Sequence, residues 1–273
     1  MGVTARDADA STLGVSVMSN VAFKSVLENE VGLPLYAEQM VRELGRITVV
    51  APHPDDESLG CGGLLALAAK YQQACAVIFV SDGAASHPNS VRYPPNVIAK
   101  IRKREALTAI QTLGLNSTDA IFMNVPDGKV PSFKMPHYAD VMTNLYHHLR
   151  RQLPDTIIVP WRRDPHCDHQ ATHELASDAA LQLPYSPRIL EYPIWARVDQ
   201  SNGNAPKPKE MNAWRIDTTS VQHIKLRAIS AHQSQLNKII DDDPEGFQLK
   251  PQMLKPFLVD YEIYLEPTTH DKQ

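Results

Sequence analysis

The chain has 273 residues, enough for one large α/β domain or two small ones, and its net charge of −4 argues against nucleic acid or an anionic membrane as partner. A content of 43% hydrophobic and 21% charged residues is that of a soluble globular protein, with no run near the ~18 apolar residues of a membrane-spanning helix. Three scattered cysteines, Cys61, Cys75 and Cys167, suggest no disulfide framework and fit a reducing, cytoplasmic compartment.

Residues 1–40 read as an N-terminal extension, partly mobile, because 1–20 are small, polar and aperiodic. Met1–Ala10 has neither the basic region nor the apolar core of a secretory signal. Arg6 stands where a myristoylation site wants Ser or Thr, so no membrane anchor is expected. One or two short helices are expected within Val21–Leu44. Residues 41–273 then read as one domain. Ile47–Val50 is β-branched and apolar without alternation, the pattern of a strand buried on both faces. Pro52 and Pro54 end it, and a small-residue helix is expected over Ser58–Lys70. Further strands are expected at Ala76–Val80, Asp119–Val125, Thr156–Pro160 and Arg188–Ile194. Helices are expected at Val97–Leu113, His137–Leu149 and Gln170–Leu181. Trp214–Thr218 and Tyr261–Leu265 read as late strands, and Ser220–Ser234 as a helix.

Strand and helix alternate, which predicts an α/β, Rossmann-like fold: a mostly parallel sheet with helices on both faces. Residues 84–97 and 196–212 read as loops that select the substrate. Asp241–Glu245 reads as a solvated acidic turn. No G-x-G-x-x-G follows a strand, which argues against a nicotinamide site.

The chemistry gathers where strands end, the edge at which open α/β sheets build their sites. His53, Asp55, Asp56 and Glu57 come directly after the first strand. His53 and Asp56 are three residues apart and converge on one ion if a helix starts there. A helix N-terminus alone also favours Asp and Glu, but it does not account for a histidine and two prolines against two aspartates. A second cluster, Asp164-Pro165-His166-Cys167-Asp168-His169, follows Thr156–Pro160. The first stretch is A-P-H-P-D-D-E at Ala51–Glu57, with Gly60, Gly62 and Gly63 behind it; the second follows roughly a hundred residues on. Together they resemble the two motifs of the PIG-L/LmbE-like zinc-dependent N-deacetylases. Arg102 and Glu105 match that family's R-x-x-E element, and A-H-Q-S-Q at Ala231–Gln235 resembles a closing element. The resemblance covers Arg46–Ala196.

The resemblance implies one zinc ion per chain, held by His53, Asp56 and His169, with other divalent ions as substitutes. Two imidazoles and a carboxylate leave a fourth position for water, as catalytic zinc sites do. His173, four residues after His169, also has ligand spacing. Asp55 reads as general base. His166 reads as donor to the tetrahedral oxyanion or to the leaving amine. Asp168 and Asp164 are candidates to hold His166 charged and oriented, or to support His169 instead. In the family, residues matching Arg102 and Asp127 face the sugar; Arg102 could equally be an exposed helix charge paired with Glu105. Trp161 could stack on a sugar, although such a tryptophan is more often core.

The implied function is removal of an N-acetyl or other acyl group from an N-acetylglucosaminyl-type small-molecule conjugate, by attack of a metal-bound water with Asp55 as base. Alternatives are an amidase of the same family on a thiol-glycoside conjugate, a non-catalytic sugar-binding protein, and a phosphoesterase. The Asp55 base argues against the binder, and ligands for only one metal argue against the phosphoesterase. Composition leaves a homo-oligomer open.

Overall fold

Val49 and Val50 are neighbours in sequence, both fully buried, and each belongs to a different core. A strand covered on both faces requires this, which is why its sequence shows no alternation. A computed structural model describes residues 24–199 and 204–268. The expectation of a mobile segment over residues 1–20 lies outside the described residues.

Eight strands form one sheet: β1 (Leu35–Tyr36), β2 (Ile47–Ala51), β3 (Cys75–Ser81), β4 (Ala120–Val125), β5 (Thr156–Pro160), β6 (Arg188–Tyr192), β7 (Met211–Asp217) and β8 (Tyr261–Pro267). Their order is β1-β7-β8-β6-β5-β2-β3-β4. All neighbours pair in parallel except β8, which runs antiparallel between β6 and β7. The helices are α1 (Asp56–Lys70), α2 (Pro95–Thr112), α3 (Tyr138–Gln152), α4 (Cys167–Leu181), α5 (Trp195–Val198), α6 (Gln222–Ile229), α7 (Gln233–Leu236) and α8 (Pro251–Leu254). Side chains of α1, α2 and α6 fill the core on one face, and those of α3 and α4 fill the other. The expected mostly parallel sheet with helices on both faces is the observed fold. Strand order reverses between β2 and β5, so the cleft beyond their carboxyl ends is where such sheets bind ligands.

Two local expectations are corrected, and the one or two short helices expected within Val21–Leu44 are found as 3₁₀ stretches. The helix expected over Ser220–Ser234 breaks after Ile229. There the Ser234 amide and hydroxyl bond the Glu105 carboxylate at 2.7 and 2.6 Å, and the chain turns inward at His232. Within Val21–Leu44 the described part forms two 3₁₀ stretches, Val26–Gly32 and Glu38–Leu44, with β1 between them on the sheet edge. The acidic run Asp241–Glu245 is not simply solvated. Asp242 accepts the amides of Val91 and Arg92, and Asp243 that of Asn89, so the run fastens the loop after β3.

Helix α1 is nearly all buried, and its small residues make that possible. A Cβ on Gly63 would lie 2.5 Å from Thr218 Cγ2, so only glycine lets β8 and the Thr218 turn come this close. Through that gap Glu262 accepts the amides of Gly63 and Leu64 at 2.6 and 2.8 Å. Lys225 Nζ lies 2.8 Å from the same carboxylate, and both side chains are out of water. Removing one partner strands a buried charge. Lys225→Met should therefore destabilise the fold by about 3–5 kcal/mol, and Lys225→Met/Glu262→Gln should recover part of that loss. Urea unfolding of both variants measures it; equal stability of Lys225→Met and the parent chain would contradict it.

Candidate active site

Between β2 and α1 the chain crosses in one tight turn. Asp55, at the helix N-cap, has φ 144° and ψ −27°, a conformation that costs a non-glycine residue about 1–3 kcal/mol. Several contacts hold it there. Its amide donates to Glu57 Oε2 at 2.9 Å. Arg102 Nη2 donates to its carboxylate at 2.9 Å and to the Pro54 carbonyl at 2.6 Å. Glu57 is fully buried and is itself fixed by the Ser58 hydroxyl at 2.6 Å and by His232 Nε2 at 3.0 Å. Sequence reasoning gives neither Glu57 nor His232 a role. The signal was available, since Glu57 ends the first motif and His232 lies in A-H-Q-S-Q.

The next residue, Asp56, opens α1 and points the other way. Its Oδ2 lies 3.3 Å from His53 Nδ1 and 3.3 Å from His169 Nε2. Two ligands of a tetrahedral ion with ~2.0 Å bonds are about 3.3 Å apart, so Asp56 Oδ2 stands at ligand spacing from each of the two nitrogens. His169 is fully buried, and neither of its ring nitrogens makes a hydrogen bond. A buried imidazole nitrogen with no hydrogen-bond partner is placed to serve as a metal ligand. His53, Asp56 and His169 thus fit a divalent cation. His53, His166 and His169 also bring ring nitrogens within 4.8 Å of one another, as His53, Asp127 and Asp168 do with their ligand atoms. In the latter group the carboxylates already serve loop amides. Gly128 and Val130 donate to Asp168, and Ala85 donates to Asp127.

The carboxylates expected around His166 lie elsewhere. Asp168 Oδ2 is 3.2 Å from His53 Nε2, and Asp164 Oδ1 is 3.3 Å from His169 Nδ1. Each therefore backs one of the paired imidazoles, and neither carboxylate holds His166. What reaches His166 is the Asp168 amide, which donates to Nδ1 at 3.2 Å because His166 is the N-cap of α4. A ring nitrogen that accepts carries no proton, so the neutral His166 ring has its proton on Nε2.

Arg102 is only 3% exposed and binds Asp55, Pro54 and the Gly83 carbonyl; it is not an exposed partner of Glu105. Asp127 Oδ1 lies 3.2 Å from His53 Nε2. His173 is away from the cluster, 3.3 Å from Glu191. Trp161 is core, fully buried with its indole N–H on the Asn204 carbonyl.

A cleft of about 230 Å³ opens over this cluster, lined by His53, Asp55, Asp56, Arg102, Asp127 and His166. Ala85 and Ser86 come from the expected substrate loop 84–97. The opposite wall is Trp195, Gln235, Phe247 and Leu249. No described residue of 196–212 lines it; Gln235, Phe247 and Leu249, outside both expected substrate loops, do. A larger cavity of about 390 Å³ lies at the amino-terminal edge of the sheet and contains none of these groups.

Residues 48–180 match the family model described as PIG-L, GlcNAc-PI de-N-acetylase. Over these residues the chain is similar to the PIG-L family. The chain is 26% identical over 196 residues to a probable N-acetyl-α-D-glucosaminyl L-malate deacetylase 2 of Bacillus subtilis, covering 69% of this chain and 82% of that one. Among solved structures it resembles the N,N'-diacetylchitobiose deacetylase of Pyrococcus horikoshii, with TM-score 0.63, 21% identity and 89% of each chain covered. It also resembles a 4-carboxy-2-hydroxymuconate hydratase of Pseudomonas putida KT2440, with TM-score 0.55, 21% identity, 68% of this chain and 78% of that one covered. These last likenesses concern the fold, and a fold shared with a hydratase does not set the reaction.

The PIG-L match contains both histidine clusters, Arg102 and Asp127, but it stops before Trp195, His232 and Phe247. Within it, burial opposes charge on both paired imidazoles and the carboxylates outweigh it. Asp127, Asp168 and Asp56 raise His53 well above its ordinary value, and Asp56 with Asp164 carries His169 up to about 9. Burial, with the positive charge of His53 and His169, lowers His166 instead and keeps it neutral at pH 7. Burial, against the pull of Arg102, pushes the Asp55 carboxyl up to about 6.

Without metal, the surrounding carboxylates favour the protonated form of His53 and His169, whereas a metal binds neutral imidazole. Metal binding at pH 7 should expel about two protons per ion. The number should fall as pH rises through 9, where His169 is already neutral. Titration calorimetry of zinc into chelator-treated protein, in buffers of different ionisation enthalpy, measures it. Release of no protons at pH 7 would contradict a pair of protonated imidazoles.

Proposed function

We propose that this protein is a metal-dependent hydrolase that removes an N-acetyl group from an N-acetylglucosaminyl-type small-molecule conjugate. The observation that carries the reading is the Asp56 carboxylate oxygen, 3.3 Å from a nitrogen of each of two buried histidines and next to a separately oriented Asp55. The PIG-L match and the similarity to the B. subtilis deacetylase support the substrate class.

In this reading His53, Asp56 and His169 would hold the ion, and an N/N/O set suits zinc. Zinc, when bound, supplies Lewis acidity to the water and the amide carbonyl. Asp55 accepts the proton of the attacking water; its raised pKa and its Arg102 contact suit a base that works near neutral pH. The water oxygen bonds to the acyl carbon, the C–N bond breaks, and the amine leaves with the proton that Asp55 took from the water. His166, neutral and protonated on Nε2, donates to the oxygen on which negative charge develops. Asp168 and Asp164 keep His53 and His169 in place, so their contribution is to the ligands. Arg102 and Asp127 face the cleft, and Asp127 is the carboxylate for sugar hydroxyls. Among the described residues no helix is long and apolar enough to cross a membrane. The free cysteines Cys61, Cys75 and Cys167 support a cytoplasmic location.

The two adjacent aspartates should fail differently. Asp55→Asn should keep its metal and lose on the order of 10²–10⁴ in turnover. Asp56→Asn should lose metal, and excess zinc should restore part of its activity. Metal analysis and zinc rescue of both variants decide it; zinc rescue of Asp55→Asn alone would reverse the roles. His166→Ala should lower turnover by roughly 10²–10³ with metal content kept. Loss of metal in that variant would make His166 a ligand.

A further inference from the structure

We propose that the cleft takes glucosaminides whose aglycone is uncharged and carries an apolar ring, and that Trp195 and Phe247 form the surface on which that ring lies. The inference rests on the deacetylase reading and narrows its substrate class.

Trp195 and Phe247 line the same cleft as His53 and Asp55. Their rings meet edge to face, with centroids 5.8 Å apart and planes at 84°. Both are half-buried, so apolar ring surface faces the cleft. The wall is fixed from two sides. The Phe247 amide donates to the Ser86 carbonyl at 2.7 Å, and the Leu249 amide donates to the Gln235 carbonyl at 2.8 Å. Gly246 packs against the His87 ring so closely that a Cβ there would lie 2.0 Å from it. Leu59 and Leu249 extend the apolar surface toward the cluster. A rigid aromatic wall beside a few converging polar groups is how proteins bind a ring that has a polar end.

Charge argues in the same direction. Among the described residues that line the cleft, Arg102 is the only Lys or Arg. Its guanidinium is already bound to Asp55, Pro54 and Gly83. The other charged groups there include the carboxylates of Asp55, Asp56 and Asp127. A carboxylate on the aglycone would lose water beside Asp127, and no lysine or second arginine lines the cleft to offset that cost. An aglycone like the malate named for the B. subtilis relative is therefore disfavoured.

The test is a panel of three N-acetylglucosaminides with phenyl, methyl and malyl aglycones, assayed by acetate release from the metal-loaded enzyme. The phenyl compound should exceed the malyl one in kcat/KM by roughly tenfold or more, the range that apolar-pocket discrimination reaches. Trp195→Ala and Phe247→Ala should each bring the phenyl-to-methyl ratio toward one, mainly by raising KM for the phenyl compound. Trp195→Phe should retain most of it. Preference for the malyl compound, or an undiminished phenyl-to-methyl ratio in both alanine variants, would overturn the inference. Calorimetric binding of the corresponding phenyl and malyl glucosaminides separates the two readings. Phenyl selectivity in binding without any acetate release would overturn the hydrolase and keep the binding surface. Tighter malyl binding would overturn the surface whatever the turnover.

Discussion

Two imidazoles kept out of water against one carboxylate oxygen are the constraint on which the rest of this structure depends. A buried charge is stable only when opposite charges and hydrogen bonds surround it. Here Asp56 faces His53 and His169, and each ring has a further carboxylate behind it. The arrangement holds positive charge at one point in the protein, whether that charge is protons on the rings or a divalent ion among them. The deep burial is consistent with this, since a site open to water would not need such compensation.

The carboxylates behind the rings also organise the loops. Asp168 takes the amides of Gly128 and Val130, Asp164 takes those of Ile194 and Ala196, and Asp127 takes that of Ala85. Each acid thus connects one imidazole to one loop that follows a strand. The ligand geometry and the shape of the cleft rim belong to one network of ion pairs and hydrogen bonds, in which the acids orient the rings. His166 stands outside it, held by an amide and lacking a carboxylate, and so stays neutral.

The parallel sheet was legible because its strands are continuous apolar runs, and both motifs were legible because they follow β2 and β5 directly. The pairing of Asp168 with His53 was not, since those residues are 115 apart and meet only through the sheet's reversal of order. Sequence spacing suggested that Asp168 belonged with nearby His166. The alternative reading of Arg102, an exposed charge paired with Glu105, fails for a related reason. A helical arginine three residues before a glutamate looks like a surface pair, yet each partner is drawn inward by a different segment. The wall made by Trp195 and Phe247 carries no spacing signal, because its two rings come from unrelated turns.

The placement of Glu262 bears on the order in which the chain can assemble. Helix α1 carries Asp56 at its start, yet its middle turn is bonded by a carboxylate from β8, the last strand in the described sequence. During synthesis the histidine clusters leave the ribosome well before that strand does. Until β8 slides between β6 and β7, Lys225 has no counter-charge and α1 has no lock on its middle turn. The helix that carries Asp56 is thus fully anchored only once β8 has joined the sheet.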